Sequence, residues 1–287
     1  MEMAESETSV NARNERHVWT PEGISPLDNF RVPLNDLAMF RGYGIFDYFR
    51  TYGRKPFRLP DHLERFYRSA KLMGLEIPAA KEALTKAVDD LLETSQLKEI
   101  GFRMLLTGGY TTDSMTSEHP NLFMISEPLP AFNTTGFAEG VALQLSDYTR
   151  ELPEVKTINY LHSIRLLPER KKENLYEVLY HQQGEIREGS RSNFFMVING
   201  VLYTAGDGVL KGITRKVIIE LASSLGLKVV EDRITLEELA QADEAFLTGT
   251  NTKVMPVVKV GDHVIGGGTP GPVTRKLMAA FDEYSGG

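Results

Sequence analysis

The stretch IREGSRSNFF, residues 186–195, sets the carboxylate Glu188 just ahead of three small residues, Gly189, Ser190 and Ser192, with one long cation, Arg191, among them. Small residues let a partner approach closely, so this guanidinium is either solvated or meets an anion. Two further stretches suit an anion. Gly212-Ile213-Thr214 opens a helix whose N-terminus presents backbone N–H groups and the positive end of its dipole, which is a phosphate site or an ordinary helix start. LTGTNT, 247–252, is a small, hydroxyl-rich turn after a strand, an anion nest or a polar turn. Lys156, in LPEVKTINYLHS, stands between Val155 and Thr157 ahead of an apolar helix, where partial burial would free its amine for imine chemistry; the alternative is an exposed lysine.

Composition narrows what such groups can serve. With 287 residues and 41% hydrophobic content the chain predicts two domains, or one large one, with an ample core. A net charge of -7 disfavours nucleic acid as a partner. The chain has no cysteine, which excludes disulfides and thiolate metal sites and fits a reducing cytoplasm. Its six histidines show no metal-ligand spacing, so no metal is expected. No run of 18 apolar residues occurs, and neither a membrane span nor an export signal is expected.

The elements that must position these residues read as follows. Residues 1–17 are expected to be a disordered tail, 18–130 a small N-terminal α+β domain, and 131–287 a large C-terminal mixed α/β domain, with a Pro- and Gly-bearing linker at 127–140. VWTPEG, FRVPL and IFDYFRTY are strand-like. DHLERFYRSAKLMGL is an amphipathic helix that Asp61 could cap and Gly74 could end, with Arg65 turned to solvent opposite Leu63. AAKEALTKAVDDLLETSQL is a second helix. GFRMLLT and NLFMIS are strands joined by a long polar loop, 108–120. In the second half, strands VALQLS, LYEVLY, NFFMVI, VLYT, LKVVE, EAFLTGT and VMPVVKV alternate with helices near 159–172, 213–225 and 271–284, and Asn199-Gly200 marks a hairpin.

Seven blocks in order, GYGIFDYFRTY, FRLPDHLERFYRSAKLMGLEIP, KTINYL, REGSRSNFF, GVLKGITR, ADEAFLTGTNTKVMPV and GPVTRKL, resemble the class IV aminotransferases, the fold type IV enzymes that depend on pyridoxal 5'-phosphate (PLP). That family includes branched-chain and D-amino-acid aminotransferases and aminodeoxychorismate lyase. The resemblance implies a transaminase, with Lys156 as the catalytic lysine that holds the cofactor and moves the substrate's α-proton. It implies Glu188 at the pyridine nitrogen, Arg65 on the phosphate with the Ile213 and Thr214 N–H groups and Thr250 or Asn251, and Tyr160 near the phenolic oxygen. A homodimer with its site at the subunit interface is implied as well.

The chain departs from its relatives where substrate binds. The well-known D-amino-acid transaminases place an arginine and a histidine in the loop that here reads GGYTTDSMTSEHP, without arginine and with His119 late. Branched-chain enzymes carry a tyrosine at the position of Arg41 and a small residue at that of Arg191. Arg41 and Arg191 are therefore candidates for the substrate carboxylate, with Tyr43, Phe46 and Tyr48 as aromatic walls, while Arg103 is shared scaffold. These features favour a D-amino acid such as D-alanine or D-glutamate as donor and 2-oxoglutarate or a similar 2-oxo acid as acceptor. The alternatives are a branched-chain L-amino-acid aminotransferase, an amine transaminase, aminodeoxychorismate lyase and a non-catalytic cofactor-binding protein.

Overall fold

A computed structural model describes residues 16–286, and most of the expected tail lies outside the described residues. The last two residues assigned to that tail are ordered: Arg16 pairs with Asp28 (2.9 Å) and His17 opens the first strand. The described residues divide into two compact units, residues 16–130 with Val155–Asn159, and residues 131–154 with 160–286.

The first unit contains β1 (His17–Thr20), β2 (Gly23–Pro26), α1 (Leu37–Arg41), β3 (Gly44–Tyr52), β4 (Lys55–Pro56), α2 (Leu59–Leu72), α3 (Lys81–Thr94), β5 (Ile100–Tyr110) and β6 (His119–Pro128). Its antiparallel sheet runs β2-β1-β6-β5-β3-β4. The period-two alternation of IFDYFRT puts Ile45, Asp47, Phe49 and Thr51 on one face, each fully buried. Phe49 stacks on Phe102 (4.9 Å), and Phe66, Ala70, Leu84, Val88 and Leu91 of α2 and α3 complete this core. The opposite face of β3 carries Phe46 and Tyr48.

Several local expectations change here. FRVPL forms no strand, and after Pro33 the chain turns into α1, which the sequence reading missed. The start of α2 is at Leu59 with Pro60 in its first turn, so Asp61 lies inside the helix rather than capping it; Gly74, in a left-handed conformation (φ 65°), follows its end. β5 and β6 extend to Tyr110 and from His119, which shortens the long polar loop to residues 111–118. The 127–140 linker likewise contracts, because β6 reaches Pro128 and residues Thr134–Glu139 form α4. Val155–Asn159, read from sequence as part of the second half, clusters with the first unit. The Phe46 N–H donates to the Lys156 carbonyl (2.9 Å) and the Ile158 N–H to the Gly44 carbonyl (3.1 Å), which stitches this segment to β3.

The second unit continues with β7 (Val141–Asp147), α5 (Leu161–Lys172), β8 (Glu177–Gln182), β9 (Glu185–Gly189), β10 (Asn193–Ile198), β11 (Val201–Ala205), α6 (Ile213–Ser224), β12 (Val229–Asp232), β13 (Ile234–Thr235), α7 (Leu236–Leu239), β14 (Glu244–Gly249), β15 (Lys253–Val260), β16 (His263–Val264) and α8 (Pro272–Ser285). The sheet order is β12-β11-β10-β14-β15-β7-β8-β9-β13, with β16 on β15. The pairs β7–β8, β7–β15 and β11–β12 are parallel. Asn199 and Gly200, both at positive φ (49° and 75°), form the expected tight turn between β10 and β11. Leu143, Leu179, Phe194, Met196, Leu247 and Met255 fill the core. Among the described residues no helix is long and apolar enough to cross a membrane.

The fully buried Asp36 holds α1, and therefore Arg41 at its end. Its carboxylate accepts the Ala38 N–H (2.7 Å), the Thr107 hydroxyl (2.6 Å) and the Asn121 amide (2.7 Å). Asp36→Ala removes the helix cap and strands two buried donors, and should lower stability by about 2 kcal/mol. The urea midpoint checks this, and an unchanged midpoint would refute it.

Candidate active site

In the first unit the site residues gather around β3. Lys156 is half-buried, and its amine lies 4.5 Å from the centroid of the Phe46 ring. Arg65, sent to solvent by helix periodicity alone, is instead buried, with 6% of its surface exposed. The reason is Asp47: Arg65 Nε and Nη2 donate to its two oxygens at 2.8 Å each, a bidentate pair, and His62 Nδ1 is 2.7 Å from Oδ1. Sequence reading missed Asp47 and His62. The available signal was the position of Asp47 on the inward face of β3, where an acidic residue must find a cation.

Burial pushes the His62 imidazole below its ordinary value; Asp47 pulls upward, and the charges of Arg65 and Lys156 push it further down. Burial also opposes ionisation of Asp47, but the charge of Arg65 and the hydrogen bonds from His62 and Arg65 outweigh it and hold the carboxyl well below the usual range. The neutral imidazole therefore donates its Nδ1–H to an ionised Asp47.

Of the other first-unit candidates, Arg41 is exposed and among the described residues donates only to backbone carbonyls, those of Ser114 (3.2 Å) and Phe40 (3.4 Å). Arg103 pairs with Glu127 (2.7 Å) and lies over the Tyr48 ring (5.0 Å) and the Phe46 ring (5.7 Å). Tyr43 packs against the core and gives its hydroxyl hydrogen to the Met73 carbonyl. On the opposite face of β3, Tyr48 is buried and Phe46 is half-buried.

In the second unit Glu188 sits at the end of β9, almost fully buried. Arg150 donates to its Oε1 through Nε (2.8 Å) and Nη2 (2.7 Å), the Leu210 N–H donates to Oε2 (3.0 Å), and the Asn193 amide lies 3.4 Å from Oε2. Arg150 and Asn193 were not singled out from sequence, since nothing in their local patterns distinguishes them. Ile213 and Thr214 are buried in the first turn of α6, behind Gly212, and no side chain caps this helix. A Cβ on Gly212 would collide with the Asn193 side chain, so the chain here requires glycine for close approach. Thr250 and Asn251 form the turn from β14 to β15, both half-buried. Tyr160 immediately precedes α5. Arg191, between β9 and β10, is exposed, and its guanidinium makes no hydrogen bond or ion pair among the described residues.

Comparison with known proteins identifies the family. The family model for amino-transferase class IV matches residues 44–260. The chain belongs to the class IV aminotransferases. It is 32% identical over 261 residues to a putative branched-chain-amino-acid aminotransferase of Methanocaldococcus jannaschii, covering 88% of this chain and 91% of that one. It is 29% identical over 271 residues to the D-alanine aminotransferase of Staphylococcus aureus strain N315, covering 92% and 95%. Among solved structures it resembles the T.th. branched-chain amino acid aminotransferase with pyridoxamine 5'-phosphate (TM-score 0.86, 29% identity, 94% and 93% covered). The mixed helix-and-strand fold is that of the fold type IV aminotransferases, and the family works with PLP.

Residues of the second unit fit the phosphate end of such a group. The N-terminus of α6, without a side-chain cap among the described residues, offers N–H donors, and at the end of β14 and the turn that follows it the buried Thr248 Oγ1 and Asn251 Oδ1 have no hydrogen-bond partner among the described residues.

The Asp47–His62 contact makes the protein acid-sensitive with a defined sign. The folded imidazole binds its proton less readily than the unfolded one, so its contribution is fully present above about pH 6.5 and is lost as pH falls below that; Asp47 adds a loss below about pH 3.9. The melting temperature should therefore fall from about pH 7.5 to about 5, with a shallower slope in His62→Gln. Parallel slopes for the two proteins would refute this.

Proposed function

We propose that this aminotransferase takes its amino group from a D-amino acid, such as D-alanine or D-glutamate, and passes it to a 2-oxo acid such as 2-oxoglutarate. One observation carries the reading. Arg65, Arg103 and Arg150 are each neutralised by a carboxylate, Asp47, Glu127 and Glu188, whereas neither Arg41 nor Arg191 has a carboxylate partner among the described residues. Two exposed guanidinium groups suit an acidic substrate, because their planar forks match a carboxylate.

The cofactor residues are those the family resemblance implies. Lys156 would hold PLP through its amine and serve as the base and acid that moves the α-proton. Glu188, fixed by Arg150, Leu210 and Asn193, would face the ring nitrogen. Arg65, oriented by Asp47, would meet the phosphate together with the Ile213 and Thr214 N–H groups and the Thr250–Asn251 turn, and Tyr160 would meet the phenolic oxygen. Bound PLP supplies the electron sink for charge that develops at the α-carbon. Lys156 serves one face only, so the side on which the carboxylate is held decides the enantiomer. Arginines at positions 41 and 191 move that anchor away from the Thr250–Asn251 turn, because charge-assisted bonds are roughly twice as strong as neutral ones.

A branched-chain L-amino-acid aminotransferase is the second reading, supported by the solved branched-chain neighbours and the M. jannaschii relative. Mixing the cofactor-loaded protein with single D- and L-amino acids and following its visible absorbance separates the two. D-alanine or D-glutamate should convert faster than L-leucine or L-valine. Arg41→Ala and Arg191→Ala should each raise the substrate concentration needed about tenfold while leaving the starting spectrum intact, and Lys156→Ala should abolish covalent cofactor attachment. Fast L-leucine conversion unaffected by Arg191→Ala would establish the branched-chain reading instead.

The reading also includes a homodimer, placed in the cytoplasm in keeping with the cysteine-free chain. Leu34, Met39, Phe40 and Met115 are exposed apolar side chains of the first unit that an assembly would cover. Sedimentation should give twice the 32.1 kDa chain mass; an active monomer would overturn the dimer.

A further inference from the structure

Glu177 is a carboxylate that neither the cofactor residues nor the paired arginines account for. It begins β8, is fully buried, and gathers three donors on a single oxygen, Oε1: the Arg191 backbone N–H (2.5 Å), the Ser192 hydroxyl (3.0 Å) and the Ser190 hydroxyl (3.3 Å). The Ser190 N–H adds a bond to the Val178 carbonyl (2.9 Å) on the same strand. A Cβ built on Gly189 would lie 2.7 Å from that oxygen, so only glycine lets the turn close down on it. Arg170, itself buried and bonded to the Tyr176 carbonyl (2.7 Å), supplies the nearby positive charge.

The consequence concerns Arg191. Its backbone is fixed at its own N–H, and the hydroxyls on either side are fixed to the same atom, while its guanidinium has no partner among the described residues. A long, rotamer-rich side chain is a poor anchor unless its root is held still.

We propose that Glu177 is the positioning residue for Arg191: its buried carboxylate sets the turn Gly189–Ser192 so that the Arg191 guanidinium is presented to the substrate carboxylate. This rests on the reading of Arg191 as a carboxylate anchor. Glu177 touches neither substrate nor cofactor in this role, and its effect must pass through Arg191 alone.

The test uses the cofactor-loaded protein and D-alanine half-reactions. Glu177→Asp withdraws the acceptor by one methylene and should raise the concentration for half-maximal conversion about tenfold, with the maximal rate and visible spectrum little changed. Gly189→Ala, which drives a methyl group against the same oxygen, should reproduce that shift. Glu177→Gln keeps an acceptor oxygen in place and should stay within about threefold of the parent. In an Arg191→Ala background, Glu177→Asp should add nothing further. A shift that persists in that background, or a loss of maximal rate or cofactor in place of the concentration effect, would overturn the inference while leaving Arg191 as anchor. A silent Arg191→Ala would overturn the anchor itself, and this inference with it.

Discussion

A carboxylate cannot be buried without hydrogen-bond donors, and this constraint organises both units. Asp36, Asp47, Glu177, Glu188 and Glu244 are all nearly or fully buried, and each ties down a different piece of chain. Asp36 fixes α1, Asp47 fixes Arg65, Glu177 fixes the turn around Arg191, and Glu188 binds Arg150 to the N–H of Leu210. Glu244 performs the same task at the start of α8, accepting the Val273 N–H (3.0 Å) and the Thr274 N–H (2.7 Å). Apolar packing makes the two cores, but these carboxylates decide where polar groups come to rest.

The same constraint sorts the arginines. A guanidinium that a carboxylate already neutralises has a fixed orientation. Arg65 and Arg150 are of this kind. Arg41 and Arg191 are exposed and have no carboxylate partner among the described residues. Orientation in the first set and exposure in the second are complementary properties of the same side chain.

His62 shows how a neutral group can serve in such a network. A protonated imidazole between Asp47 and Arg65 would place two cations beside one carboxylate in a buried space. Burial keeps the ring neutral, so it contributes a hydrogen bond to Asp47 without competing with Arg65 for charge.

The sequence by itself determined the family, the order of elements and the core. Period-two runs such as IFDYFRT and period-3.6 runs such as LERFYRSA record burial directly, and the blocks around Lys156, Glu188 and Gly212-Ile213-Thr214 carry the family resemblance in adjacent residues. The tertiary structure decided the polar partners. Asp47 and Arg65 are 18 residues apart, Arg150 and Glu188 are 38, and Asp36 reaches Thr107 and Asn121 across 71 and 85. Helix periodicity placed Arg65 in solvent because periodicity ranks a side chain by its own hydropathy, and a charged residue enters a core only through a partner that local sequence does not contain. The role of Glu177 was hidden for the same reason: a strand-leading glutamate looks solvated until the turn that closes over it is in place.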